Sequence, residues 1–230
     1  MGHSETWALV PVKKFSRAKS RLAEILFGQE RERLAQAMLC DVLRNLAATL
    51  SIDGIAVVSS DPEALSVART FGAATITDPQ EAGVNKAVQH GLDAFQSYAR
   101  RVVIVPADIP FARPQDFANV VELLSHTPIV LVPALHDGGT NALAMRSPDL
   151  LKPQFGEESF RQHRRAARQR HLGCSVLKSD GIGRDIDCPS DFGPNLLASD
   201  DLGLTGSFLD QINIAERFGM TDAPAPMRLL

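Results

Sequence analysis

The sequence predicts an α/β fold, in which one mixed and mostly parallel sheet is flanked by helices. Apolar segments of strand length alternate with amphipathic helical segments through the first half of the chain, as they do around parallel sheets. Residues 102–105 and 128–133 carry no polar side chain, which is typical of strands buried on both faces. The second half adds short strands around loops, which indicates an appended antiparallel part. Because no internal repeat or linker interrupts the chain, we predict a single domain.

Each element is predicted from its own pattern, in chain order. The predicted strands cover residues 7–12, 54–59, 73–76, 102–105, 128–133, 142–146, 174–177 and 183–189. The predicted helices cover residues 30–50, 63–71, 85–98, 114–124, 161–170 and 204–218, and another helix starts at Pro189. The strands are apolar runs or alternate apolar with polar residues, whereas the helices repeat apolar residues every three or four positions. Asp61 and Pro62 supply a helix cap and a first-turn proline, and Gly72 supplies a stop signal.

The composition narrows the classes of partner. The chain is 44% hydrophobic and 22% charged, which suits a globular domain with a large core. We place this domain at residues 1–220 and expect a loose tail at 221–230. A net charge of −3 argues against nonspecific binding to nucleic acid. We expect a cytoplasmic protein, because its three cysteines are widely spaced and no signal peptide or membrane-spanning run is apparent. A homodimer is left open, with the final helix as its candidate contact.

A carboxylate follows the apolar strand at residues 102–105. Pro106 ends that strand, Asp108 comes two residues later, and Pro110 disfavours helical backbone at the residue before it. Asp108 is thereby fixed at the carboxyl end of a central strand, where open α/β sheets bind their ligands. It is either a ligand of a metal or substrate or a residue that caps the next helix.

A second acidic pair, Asp185 and Asp187, lies far from Asp108 in the sequence. In an extended segment, residues two apart point to the same side, so both carboxylates can face one point while Ile186 turns to the core. Together with Asp108, three carboxylates could surround one hard cation such as Mg²⁺. The alternative is plain strand alternation with a solvated outer face.

Five cations follow the first predicted strand within nine residues: Lys13, Lys14, Arg17, Lys19 and Arg21. They form either a solvated basic turn or a cradle for an anion, because doubly wound folds bind phosphates in the loop after the first strand. The loop has no glycine-rich phosphate motif, so its side chains would have to supplement the backbone amides. With the acidic residues, the loop predicts a site for a nucleoside triphosphate and Mg²⁺ that works by positioning and charge neutralisation.

Several short motifs occur in a specific order. They are VKKFSRAKSRLA at 12–23, NKAV at 85–88, PADIP at 106–110, DGGTNAL at 137–143, Phe155-Gly156 with Ser159-Phe160 and His163, and RDID at 184–187 with Pro189 and Asp191. The set resembles the 2-phospho-L-lactate guanylyltransferase family of deazaflavin coenzyme F-420 biosynthesis. That family is similar to the molybdenum-cofactor guanylyltransferases and other nucleotidyltransferases with a glycosyltransferase-A-like, Rossmann-like fold. The resemblance spans residues 7 to 195.

The resemblance implies an enzyme that joins GTP to a small phosphorylated three-carbon acid with Mg²⁺ as cofactor and releases pyrophosphate. The acid is 2-phospho-L-lactate, phosphoenolpyruvate or 3-phospho-D-glycerate, and the choice stays open. The residues that it implies are Asp108, Asp185 and Asp187 for the metal, Thr140, Gly156 and Ser159 for the acid, Lys13, Lys19 and Arg21 for the triphosphate, and Asn85 near the guanosine. Asp108, Lys19 and Arg21 are the implied catalytic residues.

Two other functions fit the same residues. One is a cytidylyl- or molybdenum-cofactor-type nucleotidyltransferase on the same fold, which a panel of nucleotides would separate. The other is a nucleotide-binding protein without turnover. The presence of Asp108, Asp185 and Asp187 together argues against the second, since a site that has lost its chemistry has no reason to keep all three.

Overall fold

The computed structural model describes residues 5–95, 101–193 and 203–218. Seven strands in these ranges form one sheet in the order β3-β2-β1-β4-β6-β5-β7. They are β1 Thr6–Val12, β2 Gly54–Ser59, β3 Ala74–Thr77, β4 Arg101–Ile104, β5 Ile129–Pro133, β6 Thr140–Met145 and β7 Cys174–Val176. Among these strands, β6 alone runs antiparallel to its neighbours. The predicted mixed, mostly parallel sheet is confirmed.

Helices cover both faces of the sheet. They are α1 Gly28–Ala47, α2 Pro62–Thr70, α3 Val84–Phe95, α4 Pro114–Leu123, α5 Ser159–Gln169, α6 Gly203–Gln211 and α7 Ile214–Arg217. Ala8 and Val103 pack with residues of α1, α2 and α4, whereas Leu9 and Val102 pack with residues of α3 and α5. Because successive strand residues point to opposite faces, the sheet is the middle of three layers and its central strands are buried on both sides.

The strand order brings distant parts of the sequence to one edge of the sheet. Strand β1 pairs with β2 on one side and with β4 on the other, so the direction of winding reverses between β1 and β4. Open α/β sheets bind ligands outside the carboxyl ends of their strands at such a reversal. The antiparallel strand β6 begins at this same edge with Thr140, so the loops after β1 and β4 meet the start of β6 there.

The two last helices pack on α1 at one side of the sheet. Phe208 and Leu209 of α6 share a buried cluster with Leu34 and Met38 of α1. The buried carboxylate of Asp41 accepts hydrogen bonds from the backbone amides of residues 204 and 205 and from the hydroxyl of residue 205, at 2.7–2.9 Å. One carboxylate of α1 therefore holds the first turn of α6.

Two predictions about the second half are wrong. Residues 183–189 form no strand; the backbone amides of Asp187 and Cys188 donate to the Asp191 carboxylate, each at 2.7 Å, so a side chain takes the place of a partner strand. A short 3₁₀ turn at Pro189–Asp191 lies where another helix was predicted to start, and residues 194–202, over which that helix would continue, lie outside the described residues. The predicted helix at 204–218 is broken between α6 and α7, where Asn213 adopts a left-handed backbone with φ of 50°.

The tail at 221–230 and the end of the predicted helix at 85–98 lie outside the described residues. The limits of the domain at 1–220 therefore stay a prediction. Of the helices within the described ranges, none is both long enough and apolar enough to cross a lipid bilayer.

Candidate active site

Lys19 lies at the centre of the site, in the loop after β1. Its ammonium nitrogen donates to Asp108 Oδ2 at 2.5 Å and to Asp187 Oδ1 at 3.4 Å, although the Lys19 side chain is only 6% exposed. Lys19 has a left-handed backbone with φ of 53° and directly precedes a short 3₁₀ turn at Ser20–Leu22. A buried cation thus joins the carboxylate after β4 to the acidic segment at residues 185–187.

The carboxylates keep Lys19 charged despite its burial. Burial by itself lowers the pKa of Lys19, but attraction to Asp108 and then to Asp187 outweighs it, so the pKa lies above its ordinary value. The surroundings of Asp185 instead disfavour its charged form, because burial and then repulsion from Asp108 raise the pKa of its carboxyl group. The amide of Asn141 donates to Asp185 Oδ1 at 3.1 Å and opposes that rise. The three carboxylates of the site thus outnumber its one buried cation, Lys19, and the charge of Asp185 is the one that is disfavoured.

The acidic segment has the alternation that the sequence predicts. Ile186 is fully buried, whereas Asp185 and Asp187 on either side of it are partly exposed. The backbone amide of Ile186 donates to the carbonyl of Asp108 at 3.1 Å, which joins the segment to the loop after β4. One main-chain hydrogen bond thus fixes the position of the Asp185–Asp187 pair relative to Asp108.

The carboxylates fit a hard cation by their chemistry. Mg²⁺ prefers a few carboxylate oxygens together with water and phosphate oxygens, and Asp108, Asp185 and Asp187 would be the residues that hold it. Across the described ranges, however, no three carboxylate, histidine or cysteine side chains converge as a ready metal cluster. The Lys19 ammonium lies between Asp108 and Asp187 instead. Metal binding by the three carboxylates stays a prediction.

The cations of the basic loop lie in two places. Arg21 donates to Asp187 Oδ2 at 2.8 Å and keeps 70% of its side chain exposed, so it lies at the rim of the acidic site with Lys19 inside. Lys14 and Arg17 instead form ion pairs with Glu81, whose pKa they lower together with a hydrogen bond from Ser60. The hydrogen bond from Lys14 makes the largest contribution to this lowering of the Glu81 pKa. The cations predicted to form one cradle therefore have different partners: Lys14 and Arg17 pair with Glu81, whereas Lys19 and Arg21 pair with the acidic site.

The third member predicted for the triphosphate, Lys13, is exposed. It directly follows β1, on the same loop as Lys19 and Arg21. The loop is anchored by the backbone amide of Phe15, which donates to Asp61 Oδ2 at 2.8 Å. Lys13 and Arg21 thus offer exposed charge beside the buried charge of Lys19, and their contact with a triphosphate stays a prediction.

The three residues predicted for the acid lie together. Ser159 Oγ donates to Thr140 Oγ1 at 3.2 Å, and the Ser159 amide donates to the carbonyl of Gly156 at 3.1 Å. Gly156 has φ of 124°, a conformation that glycine adopts without steric cost. Thr140 directly precedes Asn141, the residue bonded to Asp185, so the start of β6 carries one residue of this cluster and one of the acidic site. The structure brings these residues together without testing what they bind.

Asn85 holds the loop before α5. Its side-chain amide donates to the Phe155 carbonyl at 3.0 Å, and its side-chain oxygen accepts from the Phe155 amide at 2.7 Å. Both polar ends of the side chain are thus engaged by one residue of the main chain. Contact between Asn85 and a guanosine stays a prediction, whereas its position beside Gly156 is observed.

Two residues of the site received no role from the sequence. Asn141 orients Asp185, and the fully buried His163 contacts Thr140 Oγ1 through Nδ1 at 3.1 Å. Spacing could have found His163, because it follows Ser159 by four positions and residues so spaced share one face of a helix. Asn141 gave no such signal, since its partner is distant in the sequence.

Comparisons with known proteins identify the family of the chain. A family model described as "Guanylyl transferase CofC like" matches residues 6–224. The chain belongs to this family. It is 40% identical over 187 residues to the phosphoenolpyruvate guanylyltransferase of Sphaerobacter thermophilus, which covers 81% of this chain and 90% of that protein.

Two further relatives carry the names of other acceptors. The chain is 35% identical to the 2-phospho-L-lactate guanylyltransferase of Methanothermobacter thermautotrophicus, over 84% of this chain and 85% of that protein. It is 37% identical to the 3-phospho-D-glycerate guanylyltransferase of Phenylobacterium zucineum, over 80% of this chain and 86% of that protein. The predicted family is confirmed.

A solved structure supports the fold. A protein described as a nucleotide-diphospho-sugar transferase from Desulfovibrio desulfuricans G20 superposes with a TM-score of 0.71 at 19% identity. The match covers 94% of this chain and 98% of that one. At this identity the likeness concerns the fold alone, and the predicted nucleotidyltransferase fold is confirmed.

Proposed function

We propose that this member of the guanylyl transferase CofC-like family joins GTP to a small phosphorylated three-carbon acid and releases pyrophosphate, as a step in deazaflavin coenzyme F-420 biosynthesis. The observation that carries the proposal is the Lys19 centre, where a buried cation meets Asp108 and Asp187 at the reversal of the sheet. Relatives named for phosphoenolpyruvate, 2-phospho-L-lactate and 3-phospho-D-glycerate support the reaction class.

The reaction is an in-line displacement at the α-phosphorus of GTP. An oxygen of the acid's phosphate forms a bond to the α-phosphorus while the bond from the α-phosphorus to the oxygen that bridges to the β-phosphate breaks. That oxygen leaves with the β- and γ-phosphates as pyrophosphate. The developing negative charge requires cations on the triphosphate side, which Lys19 and Arg21 supply from the loop after β1.

Lys19 is suited to that task by its surroundings. Its side chain is enclosed, its charge is maintained by Asp108 and Asp187, and its position is fixed by the folded loop. A preorganised cation of this kind stabilises a transition state without having to reorganise when the charge develops. Arg21 and Lys13 add exposed charge, which suits the distal phosphates.

A divalent cation completes the proposal. Mg²⁺ held by Asp108, Asp185 and Asp187 would neutralise phosphate charge and orient the α-phosphate when bound. Asn141 holds the Asp185 carboxylate in place for this role through its hydrogen bond. The acid would lie on the neighbouring cluster of Thr140, Gly156 and Ser159, where hydroxyl groups suit its carboxylate and phosphate.

The test is pyrophosphate release from purified protein with Mg²⁺ and GTP, with the three acids supplied in parallel. We expect release with one acid, and its identity names the acceptor. Parallel reactions with CTP and UTP check the base, and a preference for either would support a different nucleotidyltransferase. If no pyrophosphate is released with any of the three acids although GTP binding is measured, the proposal is contradicted and a protein without turnover is favoured.

The remaining proposals concern the setting of the reaction. We propose small-molecule substrates in the cytoplasm and no nucleic-acid partner, in keeping with the net charge of −3. A homodimer stays a prediction, which sedimentation of the full chain would check.

A further inference from the structure

A buried histidine links the loop before α5 to the residues proposed for the acid. His163 has no exposed surface, and its Nε2 accepts a hydrogen bond from the backbone amide of Gln154 at 3.0 Å. Its Nδ1 lies 3.1 Å from Thr140 Oγ1, and the edge of the Phe155 ring lies against it with centroids 5.1 Å apart. Both ring nitrogens therefore have fixed partners.

The partners determine which nitrogen carries the proton. A backbone amide can only donate, so the Nε2 that accepts from Gln154 has no hydrogen. Burial lowers the pKa of His163 to about 4, so the ring is neutral at physiological pH and its single hydrogen is on Nδ1. His163 consequently donates to Thr140 Oγ1.

The direction of this bond leaves one hydroxyl hydrogen for a ligand. Thr140 Oγ1 accepts from His163 and also from Ser159 Oγ, so its own hydrogen takes part in neither contact. If the Thr140–Ser159 bond reverses, the unused hydrogen moves to Ser159. Within the described ranges neither hydroxyl has another acceptor, so the pair offers one hydrogen in either arrangement.

We infer that His163 is a positioning residue that makes the Thr140–Ser159 pair a hydrogen-bond donor to the anionic end of the acceptor acid. A carboxylate or phosphate oxygen accepts hydrogen bonds only, so a fixed donor matches it. Thr140 keeps 6% of its surface exposed, Ser159 1% and His163 none, so Thr140 is the residue of the three with the most surface open to a ligand. The inference rests on the proposed function and names a residue that sets acceptor binding without touching the acceptor.

The rival explanation is that His163 only holds residue 154 in place. Two amide side chains separate the explanations, because each imitates one nitrogen of the ring. Asparagine places an amide nitrogen near the position of Nδ1 and can still donate to Thr140. Glutamine places an amide oxygen near the position of Nε2 and can still accept from the Gln154 amide.

The experiment measures KM for the acceptor acid and for GTP, and kcat, in wild type, His163→Asn and His163→Gln. We expect His163→Gln to raise the acceptor KM about tenfold or more and His163→Asn to change it about threefold or less, where tenfold corresponds to the loss of one good hydrogen bond. The KM for GTP should stay unchanged in both variants. His126→Asn, at an exposed histidine, is the matched control. The reverse ranking in an active enzyme would overturn the inference.

A second measurement does not depend on turnover. Long-range proton–nitrogen NMR of the imidazole at neutral pH reports which nitrogen carries the hydrogen, and we expect Nδ1. A hydrogen on Nε2 would overturn the inference even if the wild type is active. If the wild type releases no pyrophosphate with any acid, the proposed function is overturned, and the role of His163 in acceptor binding with it.

Discussion

At the scale of single residues, the site depends on opposed charges in a small volume. Lys19 holds a strained left-handed backbone, which costs a residue with a side chain about 1–2 kcal/mol. Such strain persists where surrounding contacts determine the conformation, and here Asp108 and Asp187 bind the end of the same side chain. Asp185 lies beside them with a raised pKa, so part of the charge in this site opposes folding.

Asp185→Asn should therefore stabilise the protein and reduce its activity. A carboxyl group with a raised pKa binds its proton more tightly in the folded state, so its ionisation penalises folding as the pH rises through that pKa. Asparagine cannot ionise, and its side-chain oxygen can still accept from Asn141. We expect Tm at pH 7 without divalent metal to rise by about 2–4 °C, the shift that about 1 kcal/mol causes in a chain of this size.

The pH dependence of Tm tests the charge argument for Asp185→Asn. The Tm advantage of Asp185→Asn should shrink as the pH falls from 7 into the acid range, because the raised pKa lets the wild-type carboxyl group take up its proton at a higher pH than an ordinary aspartate does. Thermal unfolding across that pH range measures it, with Asp180→Asn at an exposed carboxylate as the control. A variant less stable than the wild type at pH 7 would refute the charge argument.

At the scale of elements, the docking of α6 on α1 depends on Asp41. Its buried carboxylate accepts two backbone amides and one hydroxyl from residues 204 and 205. We expect Asp41→Ala to lower the free energy of unfolding by about 2–3 kcal/mol, because three donors, two of them buried, lose their acceptor. Urea unfolding measures the loss.

Arg44→Ala is the matched control for Asp41→Ala. Arg44 pairs with the same carboxylate at 2.9 Å, but its side chain is half exposed, so its removal should cost less than about 1 kcal/mol. Equal losses in the two variants would mean that the ion pair, and not the capping of α6, makes the contact stable.

The elements also show where local patterns suffice. The buried strands β4 and β5 were predictable, because an apolar β-branched run has few other stable arrangements. The prediction of a strand at 183–189 was wrong, because an extended segment can alternate apolar and polar residues without pairing with another strand. The Asp191 carboxylate accepts the amides of Asp187 and Cys188 that a ladder would have used. The same alternation still placed Ile186 in the core.

At the scale of the whole molecule, the strand order assembles the site. The sequence predicted that the loop after β1, Asp108 and the Asp185–Asp187 pair belong to one site, since all follow from rules about strand ends. It could not predict that Lys19, among five cations, would lie between the carboxylates while Arg17 pairs with Glu81. That choice depends on the backbone conformation of the loop and on distant partners. The hydrogen-bond chain through His163 needed the packed helix α5 for the same reason.

The central claim is that the carboxylates around Lys19 contribute far more to guanylyl transfer than to folding. It is tested most directly by pyrophosphate release from Asp187→Asn with Mg²⁺, GTP and the preferred acid, measured beside its Tm. Asp187 is partly exposed and asparagine keeps its size. We expect turnover to fall at least about a hundredfold, as when one preorganised charge contact is lost, with Tm changed by no more than about 2–4 °C. Near-normal turnover with a large loss of Tm would contradict the claim.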